Sequence, residues 1–343
     1  MERRRLLRFL GTAGLAAGAG CISGGGGGGQ DTTETTTETP TTAETTTTRT
    51  TTATTETTAG PVDRSIADAR ENLRSVAERL SPSPTPTESQ QSMDSFTVDD
   101  LKGRIAAAEG SLDEAADGGP DEDQRGRIER LRAIADFLGG YVDFLVVVRD
   151  ATRAFKNATF QVESGVYDDA TSLLESAKSN LETAREQLDA IDAKATEVGS
   201  FYDPGEDVFD GELRDLMNES AEWDTRFDVF ASLVDGELGL VTALQSYSTG
   251  VSDYSSEEYG AAAEAFSTAE NAASDAVEHY QQATSSSLVM NFGIDPGARA
   301  CRAENVAEAA TNYHQAAVAA GEGRSGDAGE ARSAAEAAFE REC

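Results

Sequence analysis

Residues 167–198, YDDATSLLESAKSNLETAREQLDAIDAKATEV, repeat an apolar side chain at spacings of three and four without a break. The repeating positions are Tyr167, Ala170, Leu174, Ala177, Leu181, Ala184, Leu188, Ile191, Ala195 and Val198. A strand has a period of two, whereas this spacing places all of these side chains on one stripe of an α-helix about 48 Å long. Large and small residues alternate along the stripe, so a partner helix can pack closely against it.

The preceding segment, residues 128–155, is the most apolar part of the chain from Cys21 onward. Two neighbouring stripes in it are apolar, and a helix with two apolar sides is buried between neighbours. The stripes are Ile134, Phe137, Tyr141, Phe144, Val148 and Ala151, and Leu131, Ala135, Leu138, Val142 and Leu145. We expect this helix to continue to Glu163 and to form an antiparallel hairpin with residues 167–198. Because Asp136, Asp143 and Arg149 interrupt the apolar run, we favour a core helix over a membrane-inserted one.

The rest of the chain has the same organisation. A second hairpin is predicted from Leu213 to Ala283, on either side of a turn near Ser255 and Ser256, and a third from residues 298–320 and 327–342. Residues 61–80 form a further helix, which a Pro- and Ser-rich linker, 81–96, separates from the all-helical domain of residues 97–343. We expect that first helix to be isolated and loosely attached. The predicted fold is all-α, either long antiparallel hairpins stacked as an array or an up-and-down bundle.

The second helices of the three hairpins share a short sequence pattern, which we call the phrase. Tyr167, Ala170, Leu174 and Ala177 have the spacing of Tyr259, Ala262, Phe266 and Ala269, and of Ala328, Ala331, Ala335 and Ala338. Each phrase follows a turn, at Gly165, at Ser255 and Ser256, and at Gly326 and Asp327. The phrase is similar to the second helix of a tetratricopeptide repeat, although its copies, which begin at Tyr167, Tyr259 and Ala328, are farther apart than the repeats of that family.

The segment from Met1 to Gly20 has the features of an export signal. Arg3, Arg4 and Arg5 precede a short, weakly apolar run, which resembles a twin-arginine signal for proteins exported after folding. Gly18, Ala19, Gly20 and Cys21 then resemble a lipoprotein box, which implies a lipid on Cys21. The alternative is a leader that is uncleaved or cleaved elsewhere.

Residues 21–60 have the composition of a stalk. Gly24 to Gly29 are all glycine, and 19 of the 28 residues in 31–58 are threonine, so this segment cannot build a packed core. We expect a disordered spacer, either an O-glycosylated stalk or an unmodified flexible linker.

The charge of the chain excludes some partners. With 62 acidic and 28 basic residues and a net charge of −34, it repels nucleic acid and anionic lipid headgroups. Only four residues are lysine, and the acidity is spread over every predicted helix, as in proteins adapted to molar salt, where charges are screened within about 3 Å. Together with the leader, this composition resembles that of the exported lipoproteins of salt-loving archaea. The resemblance implies a lipid-anchored protein on the outer face of the cell membrane.

Few residues point to chemistry. His279 and His314 have no metal-ligand spacing to each other or to the cysteines, and no phosphate-binding or nucleophile motif is present, so we expect no metal, no cofactor and no catalytic centre. The acidic loop of residues 203–212 lacks the spacing of a calcium loop. Trp223, Phe227 and Phe230 share a helical face, where they would form either core or a ligand pocket.

Two kinds of covalent site are predicted. Asn157 and Asn218 begin N-glycosylation sequons and fall off the apolar stripes of their helices. Cys301 and Cys343 lie about 22 and 20 residues from the middle of the last turn, so the hairpin places them side by side, and an extracytoplasmic compartment permits a disulfide. The alternative is two free thiols at a frayed end.

These observations favour a non-catalytic, surface-anchored helical module that binds another exported protein or an envelope component. The alternative is a protein that binds a small molecule or an ion between its helices, near Trp223 or the acidic loop. An enzyme is the third possibility.

Overall fold

The computed structural model describes residues 60–80, 95–200, 210–285 and 294–343. All regular structure in these ranges is α-helical, which confirms the predicted fold class. In chain order the helices are α1 (Pro61–Leu80), α2 (Ser95–Asp117), α3 (Glu122–Glu163), α4 (Tyr167–Ser200), α5 (Asp210–Ser255), α6 (Tyr259–Thr284), α7 (Pro296–Gly321) and α8 (Ser325–Phe339). The leader, Cys21, the stalk, residues 81–94 of the linker and residues 201–209 of the acidic loop lie outside the described residues.

The periodic segments form the core. All stripe positions of α4 from Ala170 to Val198 are buried, and the stripe of α6 is buried from Ala262 to Ala283. Helix α3 is buried on both predicted sides, since Phe137, Tyr141 and Phe144 are at most 1% exposed and so are Leu138 and Val142. Its start is fixed by a capping box, in which Asp121 and Gln124 each accept a hydrogen bond from the other's backbone N–H. None of the described helices has the length and apolar character needed to cross a membrane.

The helices form a stacked array. Helix α4 packs against α3 of its own hairpin and against α5 of the next one, and α6 packs in the same way against α5 and α7. Helix α8 packs against α7. Helices α4 and α6 therefore each join their own hairpin to the following one, which is how stacked hairpins bury a continuous core.

The three hairpins turn in the same way. At each turn one residue has a positive φ, namely Gly165 (75°), Glu257 (64°) and Gly323 (76°). The N–H of the following residue donates to a carbonyl five residues back, from Val166 to Gln161, Glu258 to Asp253 and Arg324 to Ala319. This is the Schellman motif, which satisfies carbonyls at a helix end and reverses the chain. We call the residue with positive φ the turn residue of its hairpin.

The turn residues correct the predicted register of the third hairpin. They recur at intervals of 92 and 66, whereas the starts of the shared phrase predicted 92 and 69. Helix α8 begins at Ser325, so Ala328 corresponds to Ala170 and Ala262, not to Tyr167 and Tyr259. The alanine-rich sequence of α8 fits the phrase in more than one register. Gly323, the residue with the positive φ, lies at the middle of the turn that the disulfide prediction used, so it is the phrase, placed after Gly326 and Asp327, that is out of register by three residues.

Helix α1 is more firmly attached than its proline-rich linker led us to expect. It packs against α2, α3 and α5, and its apolar stripe is buried, with Leu73 and Val76 at 0% exposure. Asp63 accepts hydrogen bonds from Gln124 and Arg127 of α3. Helices α1 and α2 thus form a further pair before the three predicted hairpins. The linker composition described the connection between the helices and carried no information about their packing.

Candidate functional site

A fully buried carboxylate lies where four helices meet. Glu237 of α5 is 0% exposed, and Nε of Arg299, at the start of α7, lies 3.0 Å from its Oε1. Another nitrogen of Arg299 lies 3.0 Å from Glu163 at the end of α3. Neither oxygen of Glu237 accepts a well-aligned hydrogen bond among the described residues. Tyr280 of α6 completes the cluster; it is also fully buried and lies close enough to Glu237 for the two groups to influence each other's ionisation.

The cluster has perturbed acid–base properties. Burial raises the pKa of Glu237, against the opposing effects of Arg299 and Tyr280. Burial, followed by the nearby Glu237 carboxylate, raises the pKa of Tyr280 well above its usual value. Groups of this kind are common in functional sites, but buried ion pairs also fix helix positions. Here Arg299 ties α7 to α3 and to α5, so the cluster sets the relative position of the three hairpins.

The C-terminal end of the chain is fastened to α7. Cys301 and Cys343 are within bonding distance, with Cα atoms 5.8 Å apart, in agreement with the predicted disulfide. Asn305 Nδ2 donates to the backbone oxygen of Arg341, and the guanidinium of Arg341 makes two hydrogen bonds, of 2.8 and 3.1 Å, to Glu308. The last residues are therefore held by covalent and polar contacts, although they lie beyond the end of α8.

A second attachment holds the end of α8. The guanidinium of Arg302 lies 4.3 Å from the ring centre of Phe339 and donates to the Phe339 backbone oxygen. The ring of Phe339 also stacks parallel to that of Tyr247 of α5, with their centres 4.6 Å apart. Helix α8 is thus fixed to both α7 and α5.

Many basic side chains join one helix to another. Three of the four lysines do so: Lys102 pairs with Asp143, Lys178 pairs with Asp235, and Lys194 donates to the backbone oxygen of Asp136. Arginines make similar ties between α1 and α2, between α2 and α3, and between α4 and α5. Much of the small positive charge of the chain is therefore engaged within the array, and the outer surface is left strongly acidic.

The ties between α4 and α5 fix an antiparallel register. Asp168, Lys178 and Arg185 follow one another along α4, and they contact Gln245, Asp235 and Asp228 of α5. Each step forward along α4, first of ten residues and then of seven, is matched by an equal step backward along α5. Exposed pairs of this kind contribute about 0–1 kcal/mol each, so they specify the alignment more than they stabilise it.

Two open grooves lie between paired helices. The larger, of about 620 Å³, lies between α7 and α8, and the smaller, of about 270 Å³, lies between α5 and α6. The first is lined by His314, Gln315, Val318, Ala319, Arg324, Asp327, Glu330, Ala331 and Ala334. The second is lined by Gln245, Ser246, Thr249, Ala265 and Thr268. Because both grooves are open along their length, they suit the binding of a chain segment better than the enclosure of a small molecule.

The predicted site residues are far apart in the sequence and are not gathered at one site. Asn157 and Asn218 are both exposed, as the sequence indicated, and whether they carry glycans stays a prediction. Trp223 is only 3% exposed and packs edge-on against Phe144 of α3 at 5.2 Å, so it belongs to the core and lines neither groove. The described residues include no group of three or more His, Cys, Asp or Glu side chains that could hold a metal ion.

Sequence reasoning missed Glu237. Apolar residues at spacings of three and four predict a stripe of α5 through Val234, Leu238 and Val241, but Leu238 is only half-buried, and the fully buried position is Glu237. A signal was present, because this glutamate stands in the otherwise uncharged run of residues 236–252. Arg299 could not have been paired with it, since a whole helix, α6, and the loop after it separate the two in the sequence.

Comparisons with protein-family models, with curated proteins and with solved structures found no match to this chain.

Proposed function

We propose that this protein is a non-catalytic, lipid-anchored helical module that binds another exported protein or an envelope component at the outer face of the cell membrane. The observation that carries the proposal is the stacked array with open grooves between its paired helices. Such an array presents an extended side to a partner and needs no reactive centre.

The charge distribution supports a protein partner and limits its type. Acidic residues outnumber basic ones by 62 to 28, and several of the basic ones already pair with carboxylates of neighbouring helices, so a partner meets mainly carboxylates. A partner with a neutral or basic surface associates with it more readily than an acidic one. Nucleic acid is disfavoured for the same reason.

Chemical cross-linking in intact cells at native salt tests the proposal. We expect one exported or envelope protein to be captured reproducibly with this chain. Repeated capture of nothing beyond the chain itself would count against a binding module.

The anchor is tested separately. Cys21→Ser removes the thiol that would carry the lipid, so the variant should appear in the medium while the parent protein stays with the membrane fraction. A variant that stays with the membranes would rule out Cys21 as the anchor and leave the binding function open.

A further inference from the structure

The two grooves are equivalent parts of successive hairpins. Gln315 lies eight residues before the turn residue Gly323, and Thr249 lies eight before the turn residue Glu257. The lining residues that follow the turns match as well: Ala331 and Ala265 lie eight residues after them, and Ala334 and Thr268 lie eleven after. Both grooves therefore open on the same face of their hairpins.

The first hairpin has the same positions. Counted from Gly165 they are Asn157, Leu173 and Ser176, of which Asn157 and Ser176 are exposed and Leu173 is half-buried. Two of the exposed large apolar residues belong to the same face, since Phe160, 65% exposed, and Val318, 42% exposed, each lie five residues before their turn residue. We call the positions eight residues before, eight residues after and eleven residues after each turn residue, in the three hairpins, the groove line.

The groove line has a distinct chemistry. In a chain with 26% charged residues, its nine positions, three in each hairpin, are all uncharged. The position before the turn always carries an amide or a hydroxyl, in Asn157, Thr249 and Gln315. These groups both donate and accept hydrogen bonds, as peptide groups do. The positions after the turn are mostly alanine, serine and threonine, which allow a backbone to approach closely.

The charged rim selects among segments. Arg324, Asp327 and Glu330 line the larger groove, and Arg324 pairs with Asp327 and with the adjacent Glu322, so carboxylates outnumber the one guanidinium on this rim. The rim therefore favours basic side chains in the occupant. The described residues that line the two grooves include His314 but no Phe, Tyr or Trp, the side chains on which a sugar commonly stacks.

We propose that the groove line binds an extended polypeptide segment of the partner, rich in small residues and carrying basic ones. This inference rests on the proposed function, because it names the surface and the segment through which the partner would bind. The segment crosses the hairpins, with its backbone against the amide and hydroxyl side chains and its basic residues near Asp327 and Glu330.

A photo-cross-linking amino acid placed at Thr249 or Gln315 tests the inference in intact cells at native salt. Thr183 and Ser274, which are exposed and line neither groove, are the control positions. We expect adducts with one segment of another exported protein, identified by mass spectrometry, at a yield about tenfold higher at the groove positions than at the controls. Adducts with a sugar, a lipid or a second copy of this chain would overturn the inference, as would equal yields at all four positions.

Charge reversal tests the choice of segment. With the cross-linker at Gln315, Glu330→Lys should lower the yield about three- to fivefold, the effect of losing one exposed ion pair. The matched control is Glu278→Lys, which makes the same charge change at an exposed position of α6. An equal loss in both variants would show that only total charge matters. If whole-cell cross-linking captures a partner and the groove positions do not, the groove line is wrong and the proposed function stands; if neither captures one, both fail.

Discussion

Replacement of Gly250 by alanine should destabilise the protein, because α5 and α6 touch at this point without room for a methyl group. A Cβ on Gly250 would lie 2.8 Å from Cε1 of Phe266 and 2.9 Å from its Cδ1 and Cζ. The ring is 0% exposed, so it cannot move into solvent. Overpacking costs about 1–3 kcal/mol, and alanine regains about 1 kcal/mol of helix propensity. We expect Gly250→Ala to lower the free energy of unfolding by about 1 kcal/mol.

Gly110 of α2 is the matched control. It is exposed, inside a helix, and a Cβ there would meet nothing within 4 Å. Gly110→Ala should therefore stabilise the protein by about 0.5–1 kcal/mol, so the same substitution has opposite signs at the two positions. Urea unfolding at one fixed salt concentration measures both free energies.

The repeat supplies a compensating change. Gly250 lies seven residues before its turn residue and Phe266 nine after, and the corresponding residues of the first hairpin are Ala158 and Leu174, both 0% exposed. Combining Gly250→Ala with Phe266→Leu thus recreates a pair that the first hairpin already buries. We expect the double variant to lose about 1 kcal/mol less than the sum of the single losses. Additivity within about 0.5 kcal/mol, or a stabilising Gly250→Ala, would refute this account of the close approach.

Three further predictions concern the turns, the disulfide and the buried carboxylate. Glu257→Gly should raise the free energy of unfolding by about 0.5–1 kcal/mol, because it removes a non-glycine residue from a positive φ, whereas Gly165→Ala and Gly323→Ala should each lower it by about 1 kcal/mol. Urea unfolding that shows a change of the same sign in all three variants would contradict this. Cys343→Ser should lower the free energy of unfolding by about 4 kcal/mol, the value expected for a disulfide between residues 42 apart. Alkylation of the unreduced parent protein should label neither Cys301 nor Cys343, and labelling of both would disprove the disulfide. Because the pKa of Glu237 is raised on folding, its contribution to stability is greatest below the ordinary pKa near 4.5 and is lost as pH rises through the folded pKa. Glu237→Gln should remove this loss of stability at higher pH. Thermal unfolding curves with the same pH dependence in the variant and the parent protein would show that Glu237 is not its source.

The sequence predicted those parts of the fold in which one local pattern determines the structure. The stripe of α4 is unambiguous because its period admits one face. The disulfide was predicted from the hairpin, since Cys301 and Cys343 lie at nearly equal distances along the chain from Gly323, although the last residues leave the helix after Phe339. The phrase in the third hairpin was placed three residues out of register because the alanine-rich sequence of α8 fits it in more than one way, and the sequence does not show which of the nearby glycines has a positive φ.

Other features depend on contacts between distant segments. The attachment of α1 depends on α2, α3 and α5, and none of these contacts is encoded in the linker beside it. The Glu237 cluster needs Arg299 and Tyr280 from two later helices. The groove line became visible only when the turn residues fixed how the hairpins align, because the unequal lengths of the repeats hide the equivalence in the sequence.

Asn157 begins a sequon and is also part of the groove line. Whether it carries a glycan depends on whether α3 is already folded when the protein is exported. Thr159, the third residue of this sequon, is 8% exposed, and its hydroxyl donates to the backbone oxygen of Lys156 within α3. The threonine is part of the recognised sequence, so a modifying enzyme cannot reach the complete sequon while α3 is folded. If the leader is of the twin-arginine type, as the sequence predicts, the protein is exported after folding. We then expect, against the prediction from the sequon alone, that mass spectrometry of the native protein finds Asn157 unmodified, leaving this end of the groove line open. A glycan at Asn157 would mean that the sequon was reached before α3 formed, which contradicts folded export and confines the groove line to the second and third hairpins.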